Sequence, residues 1–179
     1  MTIALCAGAQ SADKLYEQGK KLYDAKKYTE AIVKLKPAAE KGHKKAQYRL
    51  GRCYDKGNGV AENDKQAFYW YLKAAAQGHA KAQYQVGKCY KNGEGVEKNI
   101  TKAVEYFTLA AKQDNADAQL ALGKCFLKGK GVTADKARAK ALIKRAVKNE
   151  KDGDQIKKKL REDAAAGDED AKAILALIK

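Results

Sequence analysis

Proline occurs once in 179 residues, and β-branched runs are few while alanine is abundant. That balance excludes a β-rich fold and favours helix. No stretch of about 18 apolar residues exists, so nothing in the sequence is built to cross a bilayer as a helix. Histidine is scarce, with only His43 and His79, and no Ser/His/Asp or Cys/His set can be assembled from them. The Gly-x-Gly loops lack the third glycine and preceding strand of a dinucleotide fingerprint. No catalytic residue, metal site or cofactor is therefore expected.

What the chain does have is repetition. Gly51, Gly87 and Gly123 are 36 residues apart, as are Cys53/Cys89/Cys125, Gly57/Gly93/Gly129, Gly59/Gly95/Gly131 and Ala74/Ala110/Ala146. A period of this size is the signature of a solenoid, whose units bury their apolar faces only against neighbours. The 45% apolar content suffices for one folded unit with a continuous core. The solenoid is predicted to be a monomer.

Within one repeat, Ala46, Leu50 and Tyr54 fall on one helical stripe. Gly57-Asn58-Gly59 ends that helix, since glycine enters the left-handed region freely, and Val60 anchors the loop. Asn63 caps a second helix, and Asn99 and Asp135 occupy the equivalent places. That helix carries Ala67, Trp70, Tyr71, Ala74 and Ala75 on one stripe.

The pattern Ala-x-x-x-Leu-Gly-x-x-Tyr-x-x-Gly-x-Gly-Val, followed by Lys-x-Ala-x-x-Trp-Tyr-x-Lys-Ala-Ala, resembles the Sel-one-like repeat family. Copies start at Ala46, Ala82 and Ala118. The resemblance implies an all-α, right-handed superhelical solenoid of the tetratricopeptide class. Three repeats are expected at 46–81, 82–117 and 118–153 within a single domain spanning 13–179. Residues 13–45 look like a plain tetratricopeptide unit, because Gly19 to Ala31 is 12 residues where Gly51 to Ala67 is 16. Residues 154–179 keep only the order of a unit, and Lys157, Lys158 and Lys159 suit the polar outer side of a cap. About ten helices in five hairpins follow.

His43 and His79 share one register with Asn115, so that position calls for a polar turn residue, not imidazole chemistry. The cysteine ladder sits on packed helices about 8–10 Å apart, beyond the reach of a disulfide. The three cysteines are read as buried free thiols.

The resemblance places the first helix of each hairpin on the concave face. There Lys20, Arg52, Lys88 and Lys124 each follow a glycine, and Tyr16, Tyr48, Tyr84 and Leu120 stand one turn earlier. Arg49, Lys56, Asn92 and Lys128 lie beside them. Cations pair with carboxylates and tyrosines give rigid contact area, so the row suits an extended acidic segment. The family is associated with assembling protein complexes, so the leading expectation is a non-enzymatic adaptor for a protein or peptide partner with an acidic stretch. The rival reading is single-stranded nucleic-acid binding through the same cations and aromatics. Neutral charge over residues 82–117 argues against it. A remote third reading, hydrolysis of cell-wall material or β-lactams, has no nucleophile–base pair behind it.

Net charge is +15, with +7 of it in residues 118–153. Such an excess attracts anionic partners or simply solvates the exterior. Residues 1–12 form a tail, in which Thr2 to Ala9 are small and apolar and Ala7-Gly8-Ala9 has the form of a secretory cleavage site. A signal-peptide remnant, hence a periplasmic or secreted protein, is the expectation, with a cytoplasmic tail as the alternative. Cys6 follows the bulky Leu5, which argues against a lipid anchor there.

Overall fold

A computed structural model describes residues 10–179, and the export signal expected at residues 1–9 lies outside them. The described residues hold ten helices and no strand: α1 (Ala12–Asp24), α2 (Tyr28–Glu40), α3 (Lys44–Lys56), α4 (Asp64–Ala76), α5 (Ala80–Asn92), α6 (Ile100–Lys112), α7 (Ala116–Lys128), α8 (Lys136–Lys148), α9 (Gly153–Ala165) and α10 (Glu169–Ile178). Packing groups them into two compact units that divide between His79 and Ala80.

In the first unit α1 packs on α2, α2 on α3 and α3 on α4. Its core is built from Leu15, Tyr23, Leu35, Leu50, Cys53 and Trp70, with alanines between them. In the second unit α5 to α8 repeat that succession, and α9 and α10 form a closing hairpin whose helices both reach α8. One cluster there centres on Phe107 and Leu122, another on Ile143, Ile156, Leu160 and Ile174.

The hairpins close on a repeated knob. Leu35, Tyr71, Phe107 and Ile143 are buried on the second helices. Each presses onto a glycine of the first helix. A Cβ on Gly51 would lie 2.6 Å from Tyr71, one on Gly87 2.6 Å from Phe107 and one on Gly123 2.6 Å from Ile143. Glycine occupies these positions because a methyl group would displace the knob.

The seven-residue loops are equally regular. Gly57 and Gly129 end α3 and α7 in the left-handed conformation, with φ of 61° and 64°. Asn63, Asn99 and Asp135 cap α4, α6 and α8 through their side chains, as the sequence predicts. Their backbone N–H groups tie the loop back to the carbonyls of Tyr54, Tyr90 and Phe126 at 2.8–2.9 Å. The α1–α2 connection holds three residues against seven between α3 and α4, the four-residue shortening read from the first unit.

α3 begins at Lys44, ahead of Ala46, because His43 serves as its N-cap: Nδ1 accepts from the Ala46 N–H at 3.1 Å. Asn115 does the same for α7 at 2.8 Å. The shared register is a capping position, which accounts for both residue types.

Candidate functional site

The four cations that follow the knob glycines are half-exposed, and none forms an ion pair with a described residue: Lys20 on α1, Arg52 on α3, Lys88 on α5 and Lys124 on α7. Helix geometry sets this. The glycine points into the hairpin, so the next residue turns about 100° away from it, toward the hairpin's open side.

The flanking polar residues are differently placed. Arg49 is mostly covered, donates to Asp24 at 3.0 Å and lies over the Tyr23 ring at 4.9 Å. Lys56 pairs with its neighbour Asp55 at 3.3 Å. Asn92 donates to Glu94 at 2.8 Å. Lys128 pairs with Asp170 of α10, which holds that carboxyl below its ordinary range.

The aromatic members of the row are packing residues as much as surface. Tyr16 is buried and stacks on His43, with centroids 4.2 Å apart. Tyr48 is half-buried, stacks on His79 at 4.7 Å and leans on Tyr71. Tyr84 leans on Phe107 at 5.8 Å, and burial, with Asp117 adding to it, pushes its phenol up to about 12. Leu120 packs against the α8–α10 cluster.

In the second unit α5, α7 and α9 enclose a cleft of about 480 Å³. Leu120, Ile156 and Leu160 give it an apolar floor, Tyr84 a wall, and Lys91, Lys124, Lys130 and Lys159 a cationic side, while Asp163 and the Asp170–Lys128 ion pair also line it. Asp117 enters the same cleft, and burial, then the nearby Asp152, raises its carboxyl despite Lys81, Lys159 and Lys88. The arrangement can bind anions against an apolar surface. Among the described residues no group of three or more His, Cys, Asp or Glu is placed to hold a metal ion.

Cys53, Cys89 and Cys125 are buried thiols. Burial pushes Cys53 up to about 11 and raises Cys125, so both are poor nucleophiles at neutral pH.

A glutamine ladder escapes the sequence reading. Gln47, Gln83 and Gln119 are buried at one register, and Gln77 and Gln113 donate to the first two at 2.8 and 2.7 Å. The signal was available, since both sets recur every 36 residues. Polar residues on an otherwise apolar stripe are easily assigned to solvent.

Helical hairpins whose paired helices are joined by double-glycine loops, with half-exposed cations on their first helices and an apolar cleft in the second unit, define a helical-repeat binding scaffold. Sequence comparison gives the family: the model of the Sel1 repeat matches residues 44–79, 80–115 and 116–150, and the chain belongs to the Sel1 repeat family. Proteins of this family are generally non-enzymatic scaffolds for protein interaction. The chain is similar to the crystal structure of a Sel1 repeat protein from Oxalobacter formigenes, at 32% identity and TM-score 0.73 over 90% of this chain and 74% of that one. It is also similar to c5321, a protective antigen of uropathogenic Escherichia coli with this repeat fold. There the identity is 31% and the TM-score 0.75 over 85% of this chain and 34% of the antigen. A 57-residue segment is 40% identical to an exopolysaccharide production negative regulator of Rhizobium meliloti, covering 32% of this chain and 21% of the regulator. The chain thus spans about a fifth of that curated relative.

Proposed function

We propose that this protein is a non-enzymatic adaptor that binds an extended acidic segment of a protein partner on the first helices of its hairpins. One observation carries the reading. The chain holds Arg49 and Lys128 in ion pairs, whereas Lys20, Arg52, Lys88 and Lys124 form none with a described residue. In the second unit the cleft between α5, α7 and α9 adds an apolar floor to that charge. A preformed cleft loses little freedom on binding, so a modest contact area gives useful affinity.

The test is calorimetric titration of an Asp/Glu-rich dodecapeptide against wild type and Lys124→Glu/Lys159→Glu. Reversing two charges at a half-covered site weakens binding by about tenfold or more. Equal affinity for both proteins sinks the reading. Tighter binding of a single-stranded RNA, with a steep loss between about 50 and 200 mM salt, replaces it with nucleic-acid recognition.

The reading also places the protein in the periplasm or outside the cell, as a monomer. Support for export comes from the small-residue pattern before Gln10. Fractionation of the native host tests location, and light scattering tests the oligomeric state.

A further inference from the structure

α8 carries the sequence KARAKALIKRAVK and no acidic residue. Lys136, Lys140, Lys144 and Lys148 stand four apart along it, one line on the helix face. None of the four has an ion pair with a described residue, whereas Arg138 is held by Asp135 and Arg145 by Asp114. The same register in α6 reads Ile100, Val104, Thr108 and Lys112, and in α4 Asp64, Phe68, Leu72 and Ala76. The lysine row belongs to α8 alone.

Helix stability does not explain the row. Like charges four apart repel, and the cost of the cation Lys136 in the first turn offsets what Lys148 gains in the last. Nor does exposure explain it, because a solvated face is served better by mixed signs. A stripe of one sign that costs stability in the free protein is accounted for by an anionic partner.

The spacing selects the form of that partner. Four residues of helix advance about 6 Å. In an extended peptide, alternate side chains point the same way about 6.6 Å apart. Beside Lys144 and Lys148 lies a cleft of about 460 Å³ floored by Val147, Leu175 and Ile178. Arg161 adds to its cationic rim, and Lys157, paired with Asp154 at 3.4 Å, stands beside it. No aromatic side chain stands on α8, α9 or α10, so a stacking platform for bases is missing there.

We infer that the α8 face is a second binding surface, for an extended strand carrying Asp or Glu at alternate positions and an apolar residue that enters the Val147–Leu175–Ile178 cleft. It shares the acidic chemistry of the proposed function but is centred on α8, and although α9 contributes to both surfaces, it uses none of the residues that line the α5–α7–α9 cleft.

Fluorescence anisotropy with a labelled peptide of alternating Ser and Glu, ending in Leu, tests it. A peptide of identical composition with its four Glu contiguous is the register control. The row variant is Lys136→Gln/Lys140→Gln/Lys144→Gln/Lys148→Gln, which keeps helix propensity and removes the repulsion. Wild type should prefer the alternating peptide by at least about threefold, and the row variant should bind it at least about tenfold more weakly while melting at a higher temperature. Lys124→Glu/Lys159→Glu should leave this binding unchanged.

Absence of binding, or equal affinity for the two peptides, overturns the inference. Loss of binding in Lys124→Glu/Lys159→Glu and not in the row variant also overturns it, while leaving the proposed adaptor reading intact. Preferential binding of polyuridine or of phosphatidylserine vesicles replaces the peptide with another polyanion.

Discussion

Tyr16 stacks on His43 at 4.2 Å, and Tyr48 stacks on His79 at 4.7 Å, although the first pair is 27 residues apart in sequence and the second 31. The four-residue difference is the shortened loop of the first hairpin. Each histidine therefore rests on the tyrosine of the hairpin before it, and His43 also caps α3.

Removing His43 in two ways separates its roles. His43→Ala loses the cap, about 1 kcal/mol, and the stack, about 0.5–1.5 kcal/mol. His43→Asn keeps the cap, as Asn115 does for α7, and should lose only the stack. Urea denaturation of both variants measures the difference. Equal losses would mean that the cap contributes nothing.

The knob-and-glycine contact predicts a coupled pair. Gly87→Ala places a Cβ 2.6 Å from Phe107 carbons and 3.2 Å from the Ala103 carbonyl. It should destabilise by about 1–3 kcal/mol through overpacking. Adding Phe107→Leu to Gly87→Ala should cost less than the same change in wild type, and a double-mutant cycle reads the coupling. The position of this glycine was legible in the sequence from its 36-residue recurrence, and the identity of the residue above it was not. Periodicity locates a face but does not say which side chain of another helix meets it.

The glutamine ladder ends imperfectly. Asn149 takes the register of Gln77 and Gln113 but is one methylene shorter, and it donates to the Asp114 carbonyl at 3.2 Å. The buried Gln119 Oε1 has no donor among the described residues. Asn149→Gln should supply one and raise stability by about 1 kcal/mol, visible as a higher urea midpoint. An unchanged or lower midpoint would show that the ladder geometry does not extend to the third repeat.

Alkaline pH should weaken the fold. Cys53 is protonated up to about pH 11 when folded against an ordinary 9.0, and Tyr84 up to about 12 against 10.0, both mainly through burial. The unfolded chain loses these protons first, so stability is full below pH 9 and falls as pH rises toward 12. The Cys53 gap alone corresponds to about 2–3 kcal/mol. Cys53→Ala should reduce the loss between pH 9 and 11, and Tyr84→Phe the loss between 10 and 12, with Cys125, Tyr23 and Tyr106, also raised by burial, accounting for the remainder. A profile unchanged in both variants would refute the assignment.

Asp117 works in the opposite region of pH. Its carboxyl is raised above 3.8, chiefly by burial and then by Asp152, so ionisation costs stability as pH climbs past that value. Asp117→Asn should be more stable than wild type at pH 7 and gain nothing below pH 3.8. Thermal melts at the two pH values check the sign.

The sequence determined everything that is local. Glycine at the loop, Asn or Asp at the cap and apolar residues at helical spacing act within a turn or two of chain, so they fix helix ends and buried stripes without reference to the rest. The same locality identified the repeat and its shortened first loop. Only the tertiary structure decided which charges remain available. Arg49 meets Asp24 from 25 residues away and Lys128 meets Asp170 from 42, so two of the expected surface cations are neutralised within the fold. A cation at helical spacing reads the same whether or not a carboxylate on another helix has reached it. Packing settles that.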